Sequence, residues 1–396
     1  LNTLQPPAFP AIHWTEEGEA RRARWHSDRG AAPPQRVQLA DDTITADGAY
    51  GLAAQGVALL WRSDFQNARQ MLVALGKRAD RRKKSPAQPV AEIPLGSAAM
   101  AAAFHAERQA RAQRSRTLSS LLVELDADFR CALRRAPDVQ AACREALDTG
   151  DGPLVLSLRE LLGIIGAHEW RLNGVNLPLA GAVAGLRIHP HYGVFAPIRH
   201  EYVGLVAEAP LPAALQADSV AFDIGTGTGV LAAVLARRGI AKVIATDLEP
   251  RALACARDNI ERLGLTAQVT VQEADLFPEG KAAMVVCNPP WLPGRAGSSL
   301  ERAVYDPDNG MLRGFLRGLA EHLLPGGEGW LIVSDLAEHL GLRSREQLLG
   351  WINDAGLQVL GRIDSRPTHP RAADASDPLH AARAAEVTSL WRLGTP

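Results

Sequence analysis

Three observations place the C-terminal part of the chain in the α/β class. From Ser219 onward, short apolar runs alternate with stretches of helical periodicity. A glycine-rich turn, Gly225-Thr226-Gly227-Thr228-Gly229, joins the first run to the first helix. The next three runs end in polar residues. Such alternation predicts a parallel sheet with helices on both faces, preceded here by a mainly helical N-terminal region.

Strands are predicted over 220–224, 242–246, 269–272, 284–287, 330–333, 358–363 and 387–393, with helices over 230–238, 250–263 and 311–323. Pro250 and Gly264 bracket the second of these helices. Pro325-Gly326-Gly327 stops the third, and Ser344 with Gln347 forms a capping box for a helix reaching Trp351. Upstream, residues 1–95 read as a mixed region. It has short strands within 35–45 and helical spacing over 56–75, where Leu59, Leu60, Phe65, Met71, Leu72 and Leu75 fall nearly on one side. A basic run from Lys77 to Lys84 leads into a proline-dense linker over 85–94. Residues 96–168 are predicted to be a small helical domain, with helices over 97–116, 118–133, 139–147 and 154–165. The remaining domain, 169–396, opens with a hairpin about Asn173-Gly174 and a pre-motif segment, together spanning 169–218.

The 396 residues suffice for two or three domains, and 46% hydrophobic content excludes a mainly disordered chain. Lys and Arg number 43 against 44 Asp and Glu, for a net charge of −1. Net charge therefore indicates neither a nucleic-acid coat protein nor an acidic partner, while a local patch stays open. Cys131, Cys143, Cys255 and Cys287 form no CxxC pair, which argues against a disulfide framework or a structural zinc cluster. His189, His191, His200, His369 and His380 lack a ligand-like spacing, so no metal is assigned. With no apolar run near the ~18–20 residues of a membrane span and no leader-like start, the expectation is a cytoplasmic protein without a membrane partner.

The first strand runs into Asp223-Ile224-Gly225-Thr226-Gly227-Thr228-Gly229. Glycines at a strand-to-helix turn let backbone approach a ligand, and the helix start adds unpaired N–H groups. Dinucleotide enzymes hold a pyrophosphate this way, so the string alone is a shared signal. The second strand ends in Asp247-Leu248, a carboxylate placed to accept hydrogen bonds from two ribose hydroxyls. The third ends in Glu273-Ala274-Asp275-Leu276-Phe277. There Asp275 is placed to accept from an adenine amino group, with Leu276 or Phe277 beside the ring. These residues resemble the class I S-adenosylmethionine-dependent methyltransferase fold over roughly 169–396. The resemblance implies S-adenosylmethionine as cofactor. Asp223, Gly225 and Gly227 would line its methionine end, with Ile224, Thr226 and Gly229 in the same turn. Asp247 and Leu248 would lie at the ribose, and Asp275 and Leu276 at the adenine. It also implies a seven-stranded Rossmann-like sheet whose last strand, 387–393, runs antiparallel.

The fourth strand ends in Asn288-Pro289-Pro290-Trp291. This matches the Asn/Asp-Pro-Pro-aromatic signature of methyltransferases that modify a planar nitrogen, and the chemistry explains the residue types. Such a nitrogen is a poor nucleophile because its lone pair is delocalised. The side-chain carbonyl of Asn288 and the backbone carbonyl of Pro289 can each accept one N–H, drawing the nitrogen toward a tetrahedral shape. Pro289 and Pro290 stiffen the backbone and leave no competing N–H groups, while Trp291 offers a flat face. Catalysis then rests on orientation and electrostatic complementarity rather than on a strong base.

The whole arrangement is similar to the HemK-like glutamine methyltransferases that modify release factors, which place a helical domain and a hairpin before the catalytic domain. In the segment Gly193 to Glu201, which matches in part a stretch bordering the cofactor in that family, Phe195, Pro197 and Arg199 are the implied cofactor neighbours. The first 95 residues fall outside that family. The resemblance implies an N-methyltransferase whose partner is a protein with an accessible glutamine, selected by the N-terminal regions. The alternative is an N6-adenine or N2-guanine of RNA or DNA. For that target, the run Lys77 to Lys84 and Arg108, Arg111, Arg114 and Arg116 would contact phosphates, although no aromatic residues interleave with them.

Overall fold

A computed structural model of the chain describes residues 10–81, 93–216, 218–366 and 377–396. They form two compact units, one from 10–81 with 106–169 and the other from 93–105 with 170–396.

The first unit contains β1 (Ala11–Glu16), β2 (Glu19–Trp25), β3 (Val37–Ala40), α1 (Ala46–Ala54), β4 (Ala58–Trp61) and α2 (Phe65–Arg81). After α3 (Ala98–Ser119), whose start belongs to the second unit, come β5 (Leu121–Leu125), α4 (Gln140–Ala146), β6 (Leu154–Ser157) and most of α5 (Leu158–Asn173). The strands make a mixed sheet in the order β1-β2-β6-β5-β4-β3. Its core includes Ile12, Trp14, Trp25, Leu60, Leu122 and Val155.

The predicted helical domain over 96–168 is therefore corrected. Helices α3, α4 and α5 are present, but β5 and β6 lie in the middle of the sheet, paired with strands from before residue 95. The reason is burial. Leu121–Leu125 is apolar at four of its five positions and Leu154–Ser157 is buried throughout. Strands covered on both faces carry no alternation to separate them from helix. The helical spacing over 56–75 resolves for the same reason into β4 followed by α2. Of the basic run, Lys77 and Arg78 lie on α2, whereas Arg82, Lys83, Lys84 and the linker up to 92 lie outside the described residues. Arg78 pairs with Asp47 at 2.6 Å, Arg114 with Asp80 at 2.8 Å and Arg111 with Glu107 at 2.8 Å. Acidic neighbours thus already engage three of the cations that a phosphate backbone would need.

The second unit begins with a short antiparallel pair, β7 (Val175–Asn176) and β8 (Arg187–Ile188), followed by α6 (Glu201–Glu208). No tight hairpin forms at Asn173-Gly174. Helix α5 continues through Asn173 and Gly174 adopts φ +69° immediately beyond it, the left-handed geometry that favours glycine after a helix. Then come β9 (Val220–Ile224), α7 (Val230–Arg237), β10 (Lys242–Asp247), α8 (Pro250–Arg262), β11 (Val269–Glu273) and β12 (Ala282–Cys287). They are followed by β13 (Leu292–Pro293), β14 (Tyr305–Asp306), α9 (Gly310–His322) and β15 (Leu323–Ser334). The chain closes with α10 (Leu336–His339), α11 (Arg345–Asp354), β16 (Gln358–Ser365), α12 (His380–Ala385) and β17 (Thr388–Gly394). Pro325-Gly326-Gly327 falls inside β15, so α9 ends before it. The capping box of Ser344 and Gln347 is present at the start of α11.

Among the described residues the sheet has the order β11-β10-β9-β12-β15-β17-β16. β9 runs parallel to β10 and β12, and β17 antiparallel to β15 and β16. Strand periodicity divides the core between the two faces. Ala221, Val243, Ala245 and Met284 join the cluster beneath α6, α7 and α8. Phe222, Ile224, Val285 and Cys287 join the one beneath α9 and α11.

Candidate functional site

The four neighbouring strands β11, β10, β9 and β12 are parallel, so their carboxyl ends share one edge. The chain moves outward from β9 to β10 and β11, then returns to β12 on the other side. A crevice at such a reversal is where open α/β sheets bind ligands.

Asp223 is the penultimate residue of β9 and is 1% exposed. Its Oδ2 accepts the Thr226 hydroxyl at 2.6 Å and the Ala232 N–H at 3.0 Å, while Oδ1 is buried without a partner. Burial, reinforced by the charge of Asp247 and opposed by those two hydrogen bonds, pushes its carboxyl up to about 6. Beyond it, Gly225, Gly227 and Gly229 all take positive φ, at +69°, +56° and +79°. At Gly225 the positive φ favours glycine, and a Cβ there would press on the flexible tip of Met311 from α9. The Thr226 N–H donates to the Thr246 carbonyl at 2.8 Å, fastening the turn to β10.

Asp247, at the end of β10, accepts the Gly227 N–H at 3.0 Å and the Glu249 N–H at 3.0 Å. Leu248 beside it is 55% exposed. After β11, Asp275 is exposed, and Leu276 stands at φ +67° with its carbonyl accepting the Thr246 hydroxyl at 2.6 Å. Phe277 turns away into the core, stacked on Phe315 and on His322 with centroids 5.8 and 4.2 Å apart. Of the two residues expected beside a ring at this point, Phe277 is therefore occupied elsewhere.

At the end of β12, Pro289 is buried and Asn288 is half-buried. Asn288 Oδ1 accepts the indole N–H of Trp291 at 2.9 Å. In the pre-motif segment Pro197 is buried and Phe195 is 37% exposed. The Arg199 guanidinium lies 5.2 Å from the Trp291 ring centroid and donates to Glu386 at 3.0 Å.

Sequence reasoning missed Glu386, Met311 and Asn259. Asn259 is fully buried. Its amide donates to the carbonyls of His189, Thr228 and Cys255 at 3.1–3.2 Å and accepts the His189 N–H at 2.7 Å, joining the glycine turn, α8 and the pre-motif segment. A polar residue on the apolar face of an amphipathic helix was the available signal. Among the described residues no group of three or more His, Cys, Asp or Glu could hold a metal ion. Among these residues no helix is long and apolar enough to cross a membrane.

Residues 185–347 match the family model described as methyltransferase small domain. The chain is 32% identical over 162 residues to a release factor glutamine methyltransferase of Cereibacter sphaeroides, covering 36% of this chain and 55% of that protein. It is 36% identical over 149 residues to the enzyme of the same name from Moorella thermoacetica, covering 32% and 53%. It is also 30% identical over 143 residues to a tRNA1(Val) (adenine(37)-N6)-methyltransferase of Bacteroides fragilis, covering 32% and 60%. Over 185–347 the chain is thus similar to the methyltransferase small domain, and part of it to release factor glutamine methyltransferases. It spans about half the length of the release-factor relatives it matches.

Proposed function

We propose that the protein is an S-adenosylmethionine-dependent N-methyltransferase that modifies a planar amide nitrogen, a protein glutamine. In this reading the seven-stranded sheet with its antiparallel β17 is the methyltransferase sheet, the regions before it select the substrate, and the protein works in the cytoplasm. The observation that carries the reading is the placement of Asn288 at the end of β12. It stands beside the strand whose turn leaves a buried Asp223 oxygen without a partner.

The residues present fit the cofactor. An unpartnered carboxylate oxygen in a buried turn suits an ammonium donor, and the glycine turn leaves backbone where side chains would intrude. Asp223, Gly225 and Gly227 would hold the methionine end, Asp247 with Leu248 the ribose, and Asp275 with Leu276 the adenine. When bound, S-adenosylmethionine supplies an electrophilic methyl group. Asn288 Oδ1 and the Pro289 carbonyl would accept the two N–H groups of the acceptor, holding its nitrogen with the lone pair turned outward. No base is required beforehand, because the N–H becomes acidic only as nitrogen gains positive charge.

The second reading, an exocyclic amine of RNA or DNA, draws on the likeness to the tRNA adenine-N6 enzyme. Incubation with methyl-labelled cofactor and cell extract, followed by protease or nuclease digestion, separates the two. Label released by protease is expected; label released by nuclease would reverse the assignment.

A further inference from the structure

Trp291 is half-buried and packs against both hydrophobic clusters of the seven-stranded sheet. Its indole N–H is held by Asn288 Oδ1 at 2.9 Å, and one ring face is covered by the Arg199 guanidinium, 5.2 Å from the centroid. Arg199 is anchored in turn on Glu386 at 3.0 Å, and the buried Glu386 also accepts the Ser334 hydroxyl at 2.7 Å. An indole gripped at its rim and covered on one face is poorly disposed to serve as an open stacking platform.

The contact has a chemical consequence for Asn288. The two ends of an asparagine amide have nearly the same shape, one accepting hydrogen bonds and the other donating them. An indole N–H can be accepted only by the oxygen. It therefore selects one of the two amide orientations. The oxygen has two lone pairs, of which the indole occupies one and leaves one for an acceptor N–H. The second N–H of an NH₂ group then falls to the Pro289 carbonyl, which no rotation can flip.

Resting on the function proposed above, we propose that Trp291 is a positioning residue. Its N–H fixes the amide of Asn288 with the oxygen presented for methyl transfer, and Arg199, braced by Glu386, holds the ring that does so. A phenyl or phenol ring can fill part of the same space but offers no N–H at that point. The role therefore depends on tryptophan rather than on aromatic character.

The test compares wild type with Trp291→Phe and Trp291→Ala, each checked for folding by circular dichroism. Methyl transfer from labelled cofactor is measured with untreated cell extract as the titrated acceptor. In parallel, the Asn288 side-chain NH₂ resonances are followed in ¹⁵N-asparagine-labelled protein. Loss of one aligning hydrogen bond should lower kcat of Trp291→Phe about tenfold. The half-saturating extract concentration and the cofactor Kd should stay within about twofold, and the Asn288 pair should double or broaden. A stacking platform predicts the reverse split, with Trp291→Phe near normal and Trp291→Ala losing acceptor affinity; that result overturns the proposal. If wild type transfers no methyl group, the functional reading falls separately. The Asn288 resonances then still decide the contact, an unchanged pair in Trp291→Phe overturning it and a doubled pair upholding it.

Discussion

The backbone N–H of Gly227 donates to Asp247 Oδ2 at 3.0 Å, so the glycine turn after β9 and the acidic end of β10 act as one piece. Asp247 thus shapes the turn, and under the proposed function it also presents acceptor capacity to a ribose. Asp247→Ala should raise the dissociation constant for S-adenosylmethionine about ten- to hundredfold, the range expected for losing hydrogen bonds to a charged group. Isothermal titration checks this, and unchanged affinity would remove the ribose assignment.

Asn288→Ala should separate chemistry from cofactor binding. Methyl transfer is expected to fall at least about a hundredfold, because the acceptor loses the group that aligns it. The cofactor dissociation constant should stay within a few-fold. Loss of cofactor binding instead would mean that Asn288 belongs to the cofactor pocket.

Asp223 makes stability depend on pH in an unusual direction for a carboxylate. Burial raises its pKa to about 6 from an ordinary 3.8. Between those values the folded chain keeps a proton that the unfolded chain has released. Its contribution is thus whole below pH 3.8 and is lost as pH rises through about 6, at a cost of about 3 kcal/mol. Asp223→Asn should flatten that decline in denaturant titrations at pH 4, 5 and 6.5. Curves parallel to wild type would count against burial as the cause. A cationic ligand at Oδ1 favours the carboxylate, so cofactor affinity should strengthen between pH 5 and 7 in wild type and not in the variant.

Asn259→Ala should destabilise the second unit by about 2–4 kcal/mol, since it leaves the buried Thr228 carbonyl without this donor and removes the amide that ties it to His189. The urea midpoint and hydrogen exchange around the glycine turn would report it. A change below about 0.5 kcal/mol would show that water replaces the amide.

Local patterning made much of the site readable. Val220–Ile224 and its glycine turn, the Asp247 and Asp275 ends and the Asn288 to Trp291 motif are short, contiguous signals, and the structure gathers them along one edge. What escaped was non-local or aperiodic. Leu121–Leu125 looked like a continuation of α3 because strands buried on both faces lose their alternation. Glu386 lies 187 positions from Arg199, and no spacing rule joins them. Trp291 read only as a flat face, because a motif states which residue is present, not which neighbour claims its N–H.

The chain crosses between its two units more than once, since 93–105 pack with the later residues while flanking stretches build the six-stranded sheet. A cut at 95 would take away β1 to β4 and leave β5 and β6 with bare hydrogen-bonding edges. A cut at 168 would leave behind the start of α3, whose Met100 and Phe104 fill a cluster with Leu292 and Leu336. Neither unit is one continuous stretch of chain, so no single cut releases either of them whole, and each must wait for the other's residues to be synthesised before it can close.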